Sequence, residues 1–467
     1  MNPTYDYAFI GSGISSTFTL IHFLEKLKSQ DHPGFQSIAV IDKYPEFHNG
    51  IPYGKRSGHT TLLITSLRNF LPKPELSKFV PWLNKNKRWL LSEFKEKGGP
   101  LSKEWLDKNE NELRLNDWEE LFIPRSFFGY YIDEKIKILV NHLQSRNIIK
   151  VHYVHGKVEN LSHLGQDWSI CMENRDSMVA KKAILCIGSL PTNYLFRNKK
   201  IVEKDKFLLL NNLYIPELGK NIDKIRSFVK SFKDDEVVVS IIGANASGLE
   251  ILYQLNDHPE IKEKIGNYYM VSSQGLLPDS TIDLEKLNSY RTKNLDALND
   301  EESVKASDIA QAVYQDLDLA EKIGLGAAST VKIISQKFGS LLCKLNQEEL
   351  ENFACFYGNQ IGRRQRCAGE HYASTAAFLK KKGIFSHIAG RFSTIKKETT
   401  GYFLEYTNSK GQSNRVPQPI NLIINCIGSM DLNHKKIPKP LKNLISSGIV
   451  TANKSQIGIK VKEKLEA

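Results

Sequence analysis

Several features of specialised protein classes are missing from this sequence of 467 residues. Its six cysteines are scattered and include no Cys-x-x-Cys pair, so we expect no zinc or other metal site and a reducing compartment. No apolar run has the length of a membrane span. No basic segment precedes an apolar run at the N-terminus, so we expect no signal peptide. These absences predict a cytoplasmic protein without a membrane partner.

Basic residues outnumber acidic ones, and the net charge is +12. A positive balance of this size suits nucleic acid or a membrane surface as a partner. The lysines are dispersed, however, and no arginine-rich arm occurs. We therefore expect a solvated basic surface that favours anionic cofactors, with a small-molecule substrate and not nucleic acid as the partner. The composition leaves the oligomeric state open.

The clearest pattern in the chain stands near the N-terminus. Residues 5–10 are mostly apolar or aromatic, and they lead directly into Gly-x-Gly-x-x-Ser, formed by Gly11, Gly13 and Ser16. A helical pattern follows, so this segment predicts the strand, tight turn and helix that bind a pyrophosphate at the helix N-terminus. The next apolar strand ends at Asp42, where a carboxylate is placed to accept hydrogen bonds from a ribose.

A second strand and turn occur in the middle of the chain. An almost wholly apolar strand, as in buried parallel sheets, leads into Gly243 and Gly248, with Asn245 where a second glycine is expected. Asparagine tolerates the backbone angles of such a turn, but it leaves less room for a phosphate. The following strand ends in Ser272 and Ser273. Because no acidic or basic residue stands there, the choice between two nicotinamide nucleotides stays open, and the hydroxyls favour NADPH slightly.

Both halves of the chain continue with a similar series of short strands. In each, a Gly-basic pair comes first, and the last strand ends in Cys-Ile-Gly-Ser, at residues 186–189 and 426–429. Such self-similarity indicates two related units. Since both strand ends follow one pattern, we expect the strands that end at Gly188 and Gly428 to lie near the first turn.

Two nucleotide turns, each followed by a strand that ends in an apolar-Gly-Ser turn, resemble the two-dinucleotide-binding flavoproteins. These bind FAD at the first motif and NAD(P)H at the second. Four further segments resemble the bacterial YdhS-like FAD/NAD(P)-binding family, which is related to flavin-dependent N-hydroxylating monooxygenases: Gly50-Ile51-Pro52-Tyr53-Gly54, Leu62-Leu63 with Arg68, Pro124-Arg125 with Gly129-x-Tyr131, and Ser273-Gln274-Gly275-Leu276-Leu277-Pro278. The chain departs from the family's pattern at Ile64, where asparagine is usual, and at Ser273-Gln274, where arginine is usual.

The resemblance implies which residues bind the two cofactors. FAD would contact the first turn, the end of the second strand and nearby loops: Gly11, Ser12, Gly13, Ser15, Ser16, Asp42, Lys43, Tyr53, Arg68, Arg125, Val158, Gly188 and Gly428. NADPH, with NADH as the other option, would contact the second turn and the strand end after it: Gly243, Asn245, Ser247, Gly248, Ser272 and Ser273. The catalytic residues stay unassigned, because flavin chemistry asks little of side chains.

The same patterns predict an α/β protein with two Rossmann-like dinucleotide-binding domains, for FAD and NAD(P), of which the second is inserted in the first. Stretches rich in Lys, Glu and Leu add helical insertions. The predicted FAD domain covers 1–225 and 375–467, with helices at about 72–120. The predicted NAD(P) domain covers 230–370, with a helical segment at about 284–367.

The sequence is compatible with three functions. We favour an FAD-dependent, NAD(P)H-using oxidoreductase, a monooxygenase with N-hydroxylation among its reactions, acting on a small molecule. The second is an FAD-dependent oxidase or dehydrogenase whose nicotinamide site is degenerate, as Asn245 permits. The third, supported by the basic charge, is a flavoprotein that binds or modifies nucleic acid.

Overall fold

The computed structural model describes residues 3–195, 201–204, 206–462 and 466. Two six-stranded sheets dominate the described chain, and each has a parallel part that continues into antiparallel strands at one edge. Central parallel strands are covered on both faces and therefore need continuous apolar runs. The strand Val237–Ile242, for example, is buried at all of its positions. The predicted α/β class is confirmed.

Six strands form the first sheet: β1 (Thr4–Ile10), β2 (Gln36–Asp42), β3 (Ile149–His155), β4 (Val158–Leu164), β5 (Asp167–Met172) and β6 (Ser177–Leu185). Their order is β3-β2-β1-β6-β5-β4. Strands β3, β2, β1 and β6 are parallel to one another, whereas β5 and β4 are antiparallel to their neighbours. Because β1 lies between β2 and β6, the carboxyl ends of three parallel strands meet at the turn that follows β1.

Helices connect these strands and cover the sheet. Helix α1 (Ile14–Lys28) joins β1 to β2, and its apolar side Leu20, Ile21 and Leu24 is buried. Six helices lie between β2 and β3: α2 (Gly50–Tyr53), α3 (Leu67–Phe70), α4 (Lys73–Lys97), α5 (Pro100–Lys108), α6 (Glu110–Leu115) and α7 (Arg125–Ser145). Helices α4, α5 and α6 occupy the segment for which a helical insertion at about 72–120 was predicted.

Nine further strands follow: β7 (Ile201–Lys204), β8 (Phe207–Leu210), β9 (Val237–Ile242), β10 (Ile265–Ser272), β11 (Phe385–Ala389), β12 (Arg391–Glu398), β13 (Gly401–Thr407), β14 (Ser413–Arg415) and β15 (Leu422–Asn425). The second sheet has the order β11-β10-β9-β15-β8-β7, and β12, β13 and β14 form a small antiparallel sheet. The parallel run β11-β10-β9-β15 repeats the run β3-β2-β1-β6 of the first sheet. The two related units that the sequence indicates are therefore visible as one strand topology used twice.

The helices of the second half are α8 (Leu218–Val229), α9 (Ala246–Asn256), α10 (Pro259–Lys262), α11 (Leu284–Ser289), α12 (Lys293–Ala297), α13 (Ala306–Lys322), α14 (Ala327–Leu342), α15 (Gln347–Asn352), α16 (Asn359–Arg364), α17 (Glu370–Lys381) and α18 (Lys439–Ser446). A π-helix, Phe353–Gly358, joins α15 to α16. Helices α11–α16, called the helical segment below, have a core of their own around Ile309, Val313 and Ile334. Within the described residues, no helix combines the length and apolar character needed to cross a membrane.

The predicted position of the strands near the C-terminus is wrong. We expected residues 375–467, and Gly428 among them, to lie in the FAD domain beside the first turn. Instead β11 pairs with β10, and β15 lies between β9 and β8, so both strands complete the second sheet. Each Cys-Ile-Gly-Ser strand end belongs to the turn of its own unit. The second unit therefore extends from β7 to β15, well beyond the predicted range of 230–370.

Two linkers join the units at one place, called the paired hinge below. The Asn193 N–H donates to the Gly428 carbonyl at 3.2 Å, and the Met430 N–H donates to the Pro191 carbonyl at 2.9 Å. The buried amide of Asn425 donates to the Asn193 carbonyl at 3.0 Å. The chain thus passes from the first unit to the second and back through two hydrogen-bonded segments.

After the paired hinge the chain returns to the first unit. Helix α18 packs against the first sheet, and Leu441, Leu444 and Val450 join the core under β1 and β2. A tight C-terminal hairpin (residues 451–460) follows, closed by hydrogen bonds from Asn453 to Gly458 at 2.8 Å and from Lys460 to Thr451 at 2.7 Å. The second unit is therefore nested within the first, as the sequence predicts, although the boundaries differ.

Candidate functional site

The first turn begins with a glycine that no other residue can replace without a backbone shift. Gly11 has φ +100°, and a Cβ placed there would lie 2.1 Å from the carbonyl oxygen of Cys186. That carbonyl stands just beyond β6, the strand beside β1. The Gly11 N–H donates to the Ile41 carbonyl of β2 at 2.8 Å. The turn is thus held between the ends of two strands and is directed away from the sheet.

Helix α1 has an open N-terminus. Gly13 is its N-cap, and among the described residues no side chain caps the first turn of the helix. A Cβ on Gly13 would meet nothing nearer than the Cα of Gly50, at 3.9 Å. Gly50, with φ +61°, faces Gly13 from the loop after β2. Uncapped N–H groups beside open space are the arrangement that binds a phosphate.

Asp42 closes β2 and supports the turn directly. Its Oδ2 accepts from the Ser12 N–H at 2.7 Å, and its Oδ1 accepts from the Tyr44 N–H at 2.9 Å. Two cations lie beside it, Lys43, which is exposed, and Arg56, which is buried. Partial desolvation by the surrounding protein, and then the charge of Arg56, lowers the pKa of Lys43, while Asp42 raises it. The Arg56 guanidinium stacks on Tyr44 at 3.7 Å. Burial lowers the pKa of Arg56, and the charges of Asp42 and Glu46 oppose this effect, so this end of the cradle holds two cations and two carboxylates.

His48 fixes the loop that faces the turn, and sequence reasoning missed it. The residue is buried and has φ +77°, a conformation that histidine rarely adopts. Its ring lies 2.9 Å from Asp133 and 3.1 Å from the Tyr153 hydroxyl. Its backbone N–H donates to Ser12 at 3.3 Å, and its carbonyl accepts from Thr17 at 2.8 Å. Loop and turn are therefore one hydrogen-bonded unit.

The residues at this edge fit the FAD that the sequence predicts. Asn49, between His48 and Gly50, has a buried Oδ1 atom without a hydrogen-bond partner among the described residues. Asn49 directly precedes Gly50, the residue that approaches the N-cap of α1. An open helix end, a glycine pair and an unpartnered buried acceptor together make a cradle for a dinucleotide, whose pyrophosphate suits the free N–H groups.

Most of the predicted FAD residues are found at this edge. Ser12 and Ser16 are buried inside the turn, and Ser15 is exposed on the first turn of α1. Val158 begins β4 two residues after Gly156, whose N–H donates to the Asp42 carbonyl at 2.8 Å. The remaining residues of this group are Tyr53, which ends α2 under α7, and Gly188, which has φ +66° just beyond β6.

Three predicted FAD residues have other partners: Arg68, Gly428 and Arg125, of which Arg125 is described in the next paragraph. Arg68 is 57% exposed and forms ion pairs with Glu119 at 3.2 Å and Glu120 at 2.6 Å. Gly428 lies in the paired hinge, beyond a strand of the second sheet. Neither contacts the first turn in this structure. Both predictions rest on the order of segments in the sequence, which does not specify the direction of a long side chain or the sheet that a strand joins.

Arg125 connects the two units. It begins α7 of the first unit, and its guanidinium lies 2.8 Å from Glu250 of α9 in the second. The side chains are 14% and 2% exposed. Burial opposes the charge on Arg125, but Glu250 outweighs burial and, with smaller contributions from nearby tyrosines, raises the pKa of Arg125 above its ordinary value. Tyr214 donates to the other Glu250 oxygen at 2.6 Å. Sequence reasoning missed Glu250.

The second turn repeats the first at its base. Gly243 has φ +110°, and a Cβ there would lie 2.6 Å from the carbonyl oxygen of Cys426, just beyond β15. A Cβ on Gly248 would lie 2.2 Å from the Gly243 carbonyl oxygen, so this position also requires glycine. The close approach of the turn to the neighbouring strand is therefore the same in both units, whereas the third motif position requires glycine in the second unit and holds Ser16 in the first.

The two turns differ at the helix N-terminus. Asn245 is the N-cap of α9: its Oδ1 accepts from the Gly248 N–H at 3.1 Å, and its Nδ2 donates to the Cys426 carbonyl at 2.9 Å. One N–H group that a phosphate would use is thus already engaged. Ser247 is half-buried beside it, Ser272 lies 2.8 Å from the ring of His387, and Ser273 is exposed. The predicted NAD(P) residues lie at one sheet edge, but this turn is partly closed by its own side chain.

Comparisons with known proteins agree with this geometry. Residues 8–190 match a family model described as FAD-NAD(P)-binding. The chain is 28% identical over 477 residues to the uncharacterized protein Rv3403c of Mycobacterium tuberculosis, covering 100% of this chain and 88% of that protein. The reduced ornithine hydroxylase PvdA from Pseudomonas aeruginosa has a TM-score of 0.50 at 12% identity, over 99% of this chain and 90% of that one. The ornithine N-hydroxylase KtzI from Kutzneria sp. 744 has a TM-score of 0.47 at 10% identity, over 91% and 81%.

The family model shows that the first unit contains an FAD-NAD(P)-binding domain. The predicted cofactors, FAD with a nicotinamide nucleotide, are confirmed at this level. The likeness to PvdA, which extends over 90% of that chain, confirms the predicted fold of two dinucleotide-binding domains. The predicted enzyme class, a flavin-dependent oxidoreductase, agrees with both findings.

Replacing Gly13 by valine tests the cradle. We expect Gly13→Val to fold, because a Cβ there meets no atom nearer than 3.9 Å, and to purify without FAD, because the side chain fills the space beside the open helix end. Flavin absorbance per chain and far-UV circular dichroism measure the two effects. Gly34→Val, at an open loop position, is the matched control and should keep its flavin. Full FAD content in Gly13→Val would show that the turn is not the binding site.

Removing Arg125 tests the contact between the units. We expect Arg125→Ala to lower the free energy of unfolding in urea by about 3–5 kcal/mol, because it leaves the buried carboxylate of Glu250 without a cation. The exposed pair of Arg68 provides the control, and Arg68→Ala should cost no more than about 1 kcal/mol. The double variant Arg125→Met/Glu250→Gln should recover most of the loss. Equal effects of the two single alanine variants would contradict this role.

Proposed function

We propose that the protein is an FAD-dependent, NAD(P)H-using monooxygenase that acts on a small molecule, with N-hydroxylation as its reaction. The observation that carries the proposal is the pair of nucleotide turns, one open and one partly capped, in a nested two-unit fold. PvdA, which shares this fold, is an ornithine hydroxylase. The segment order also supports membership of the YdhS-like family, and a cytoplasmic location stays a prediction.

The chain's own residues would bind and orient the cofactor. Gly11, Gly13 and the free N–H groups of α1 would hold the FAD pyrophosphate, and Asp42 has lone pairs left for a ribose. Asn49 would supply a further acceptor. When bound, FAD supplies electron transfer between a reduced nicotinamide and dioxygen, chemistry that no side chain performs. The second turn, with Gly243 and Gly248, would present the nicotinamide nucleotide, for which we favour NADPH over NADH.

One observation favours a second candidate, an FAD-dependent oxidase or dehydrogenase. The side chain of Asn245 occupies the Gly248 N–H and the Cys426 carbonyl. A nucleotide phosphate has to compete with these hydrogen bonds. If it competes poorly, the substrate itself would have to supply the electrons, and the second unit would have a structural role.

Anaerobic stopped-flow mixing with NADPH or NADH tests the main proposal. We expect loss of the flavin's visible absorbance with NADPH, and more slowly with NADH. When air and candidate amines are then added, a monooxygenase consumes oxygen and forms a hydroxylated product, whereas an oxidase releases hydrogen peroxide in proportion to the electrons supplied. A flavin that neither nucleotide reduces at saturating concentration would exclude the monooxygenase and support the second candidate.

Replacing Asn245 by glycine tests the cap. We expect Asn245→Gly to bind NADPH more tightly than the natural chain, because the Gly248 N–H becomes available and the turn regains a second glycine. The helix should lose only a few tenths of a kcal/mol, as is usual when glycine replaces an asparagine N-cap. Calorimetric titration of the FAD-bound protein with NADPH measures the affinity.

Asn346 offers a matched control. It caps α15 in the same way, accepting from the Glu349 N–H at 2.9 Å, but lies in the helical segment. Asn346→Gly should lose similar helix stability and leave NADPH affinity unchanged. If Asn245→Gly and Asn346→Gly both bind NADPH as the natural chain does, Asn245 does not limit access to the second turn.

A further inference from the structure

A polar cavity lies where the helical segment meets the C-terminal hairpin. Its volume is about 440 Å³. It is lined from one side by the end of the π-helix and by α16, and from the other by the hairpin, through Gly358, Asn359, Gly362, Arg363, Arg366 and Ile457. The site thus combines residues of the nested second unit with a residue of the first. Nothing in the function proposed above uses it.

The charges in this cavity are unbalanced. Among the described residues, no carboxylate forms an ion pair with Arg363 or Arg366, whereas Arg364 between them pairs with Asp318 at 2.8 Å and Glu321 at 2.7 Å. Both side chains are exposed to solvent at the cavity wall, and partial desolvation, followed by the charge of Arg363, lowers the pKa of Arg366. Two guanidinium groups that repel each other beside a cavity are the arrangement that an anion stabilises.

The backbone that carries the arginine pair is fixed. The Arg366 carbonyl accepts from the Asp279 N–H at 2.9 Å, and the Ala368 N–H donates to the Asp279 carbonyl at 2.9 Å. Glu351 of α15 pairs with two lysines of the C-terminal hairpin, Lys454 at 3.4 Å and Lys460 at 3.7 Å, and so ties the hairpin to the helical segment. The site is therefore positioned by rigid elements of both units.

Glycine keeps the cavity open. Gly362 lies within α16, where glycine costs about 1 kcal/mol relative to alanine. A Cβ placed on Gly362 would meet no atom within 4 Å. The fold itself therefore does not require glycine at this position. The π-helix immediately before α16 is a rare form that is frequent at functional sites.

We propose that this cavity binds an oxyanion, a phosphate or carboxylate group of a small molecule, between Arg363 and Arg366. Guanidinium groups match both anions with paired, charge-assisted hydrogen bonds. The group has two possible sources, the 2′-phosphate of a nicotinamide nucleotide and an acidic group of the substrate. The site does not depend on flavin, so it stands or falls independently of the proposed reaction.

Calorimetric titration of the full chain with inorganic phosphate, in a chloride buffer of constant ionic strength, tests the site. We expect saturable binding that weakens by about tenfold or more for each arginine removed in Arg363→Gln and Arg366→Gln, because each loses charge-assisted hydrogen bonds. Arg364→Gln, whose guanidinium already has two carboxylate partners, should bind phosphate as the natural chain does. Equal titrations for the natural chain and the double variant, or an equal loss in Arg364→Gln, would overturn the proposal.

Gly362→Glu is a second test that does not remove an arginine. It places a carboxylate beside the pair at a position with room for a side chain, and we expect it to abolish phosphate binding while the chain stays as resistant to urea as the natural one. Unchanged phosphate affinity in a folded Gly362→Glu variant would also contradict the site.

Displacement of bound phosphate by other anions distinguishes the two sources of the oxyanion. If adenosine 2′,5′-bisphosphate displaces phosphate and adenosine 5′-monophosphate does not, the oxyanion is the nucleotide's 2′-phosphate. If succinate displaces phosphate and the bisphosphate does not, the oxyanion belongs to the substrate. Either result supports the proposal, and displacement by none of the three compounds would overturn it for these ligand classes.

Discussion

Both sheets depend on one steric constraint, the close approach of a turn to the carbonyl of the neighbouring strand. Gly11 lies against the Cys186 carbonyl and Gly243 against the Cys426 carbonyl, and in both cases a Cβ would overlap the oxygen. Because the chain has to leave the sheet at that point, the next helix starts with its N-terminus at the carboxyl edge. The cleft for a ligand therefore arises where parallel strands diverge, as in other open α/β sheets.

The features that depend on a short stretch of sequence were predicted correctly. The turn at Gly11 and Gly13, the acid at Asp42 and the helices within 72–120 are all read from short segments and are all present. The assignment of β11 and β15 failed because a strand's neighbour is a long-range property. Their sequence marks where a strand ends but carries no information about which of two similar turns it closes.

The side chains show the same difference between local features, which the sequence predicts, and long-range contacts, which it does not. Arg125 and Arg68 look alike in the sequence, yet one is buried against Glu250 and the other is exposed beside Glu119. An acid between Leu249 and Ile251 was an available signal, because a charge in an apolar helix face needs a buried partner. His48 offered no such signal, since its backbone conformation and its contacts with Asp133 and Tyr153 are set by distant parts of the chain.

The passage of the chain through the paired hinge also determines the order in which the two units are completed during synthesis. The residues that cover the first sheet from α18, among them Leu441 and Leu444, are translated after every strand of the second unit. Until they emerge, the apolar side of β1 and β2 at Ala8 and Ala39 has no cover from α18. The nested unit has all its strands earlier, and domains generally fold as units during synthesis. The first unit therefore begins to leave the ribosome before the second unit but is completed after it.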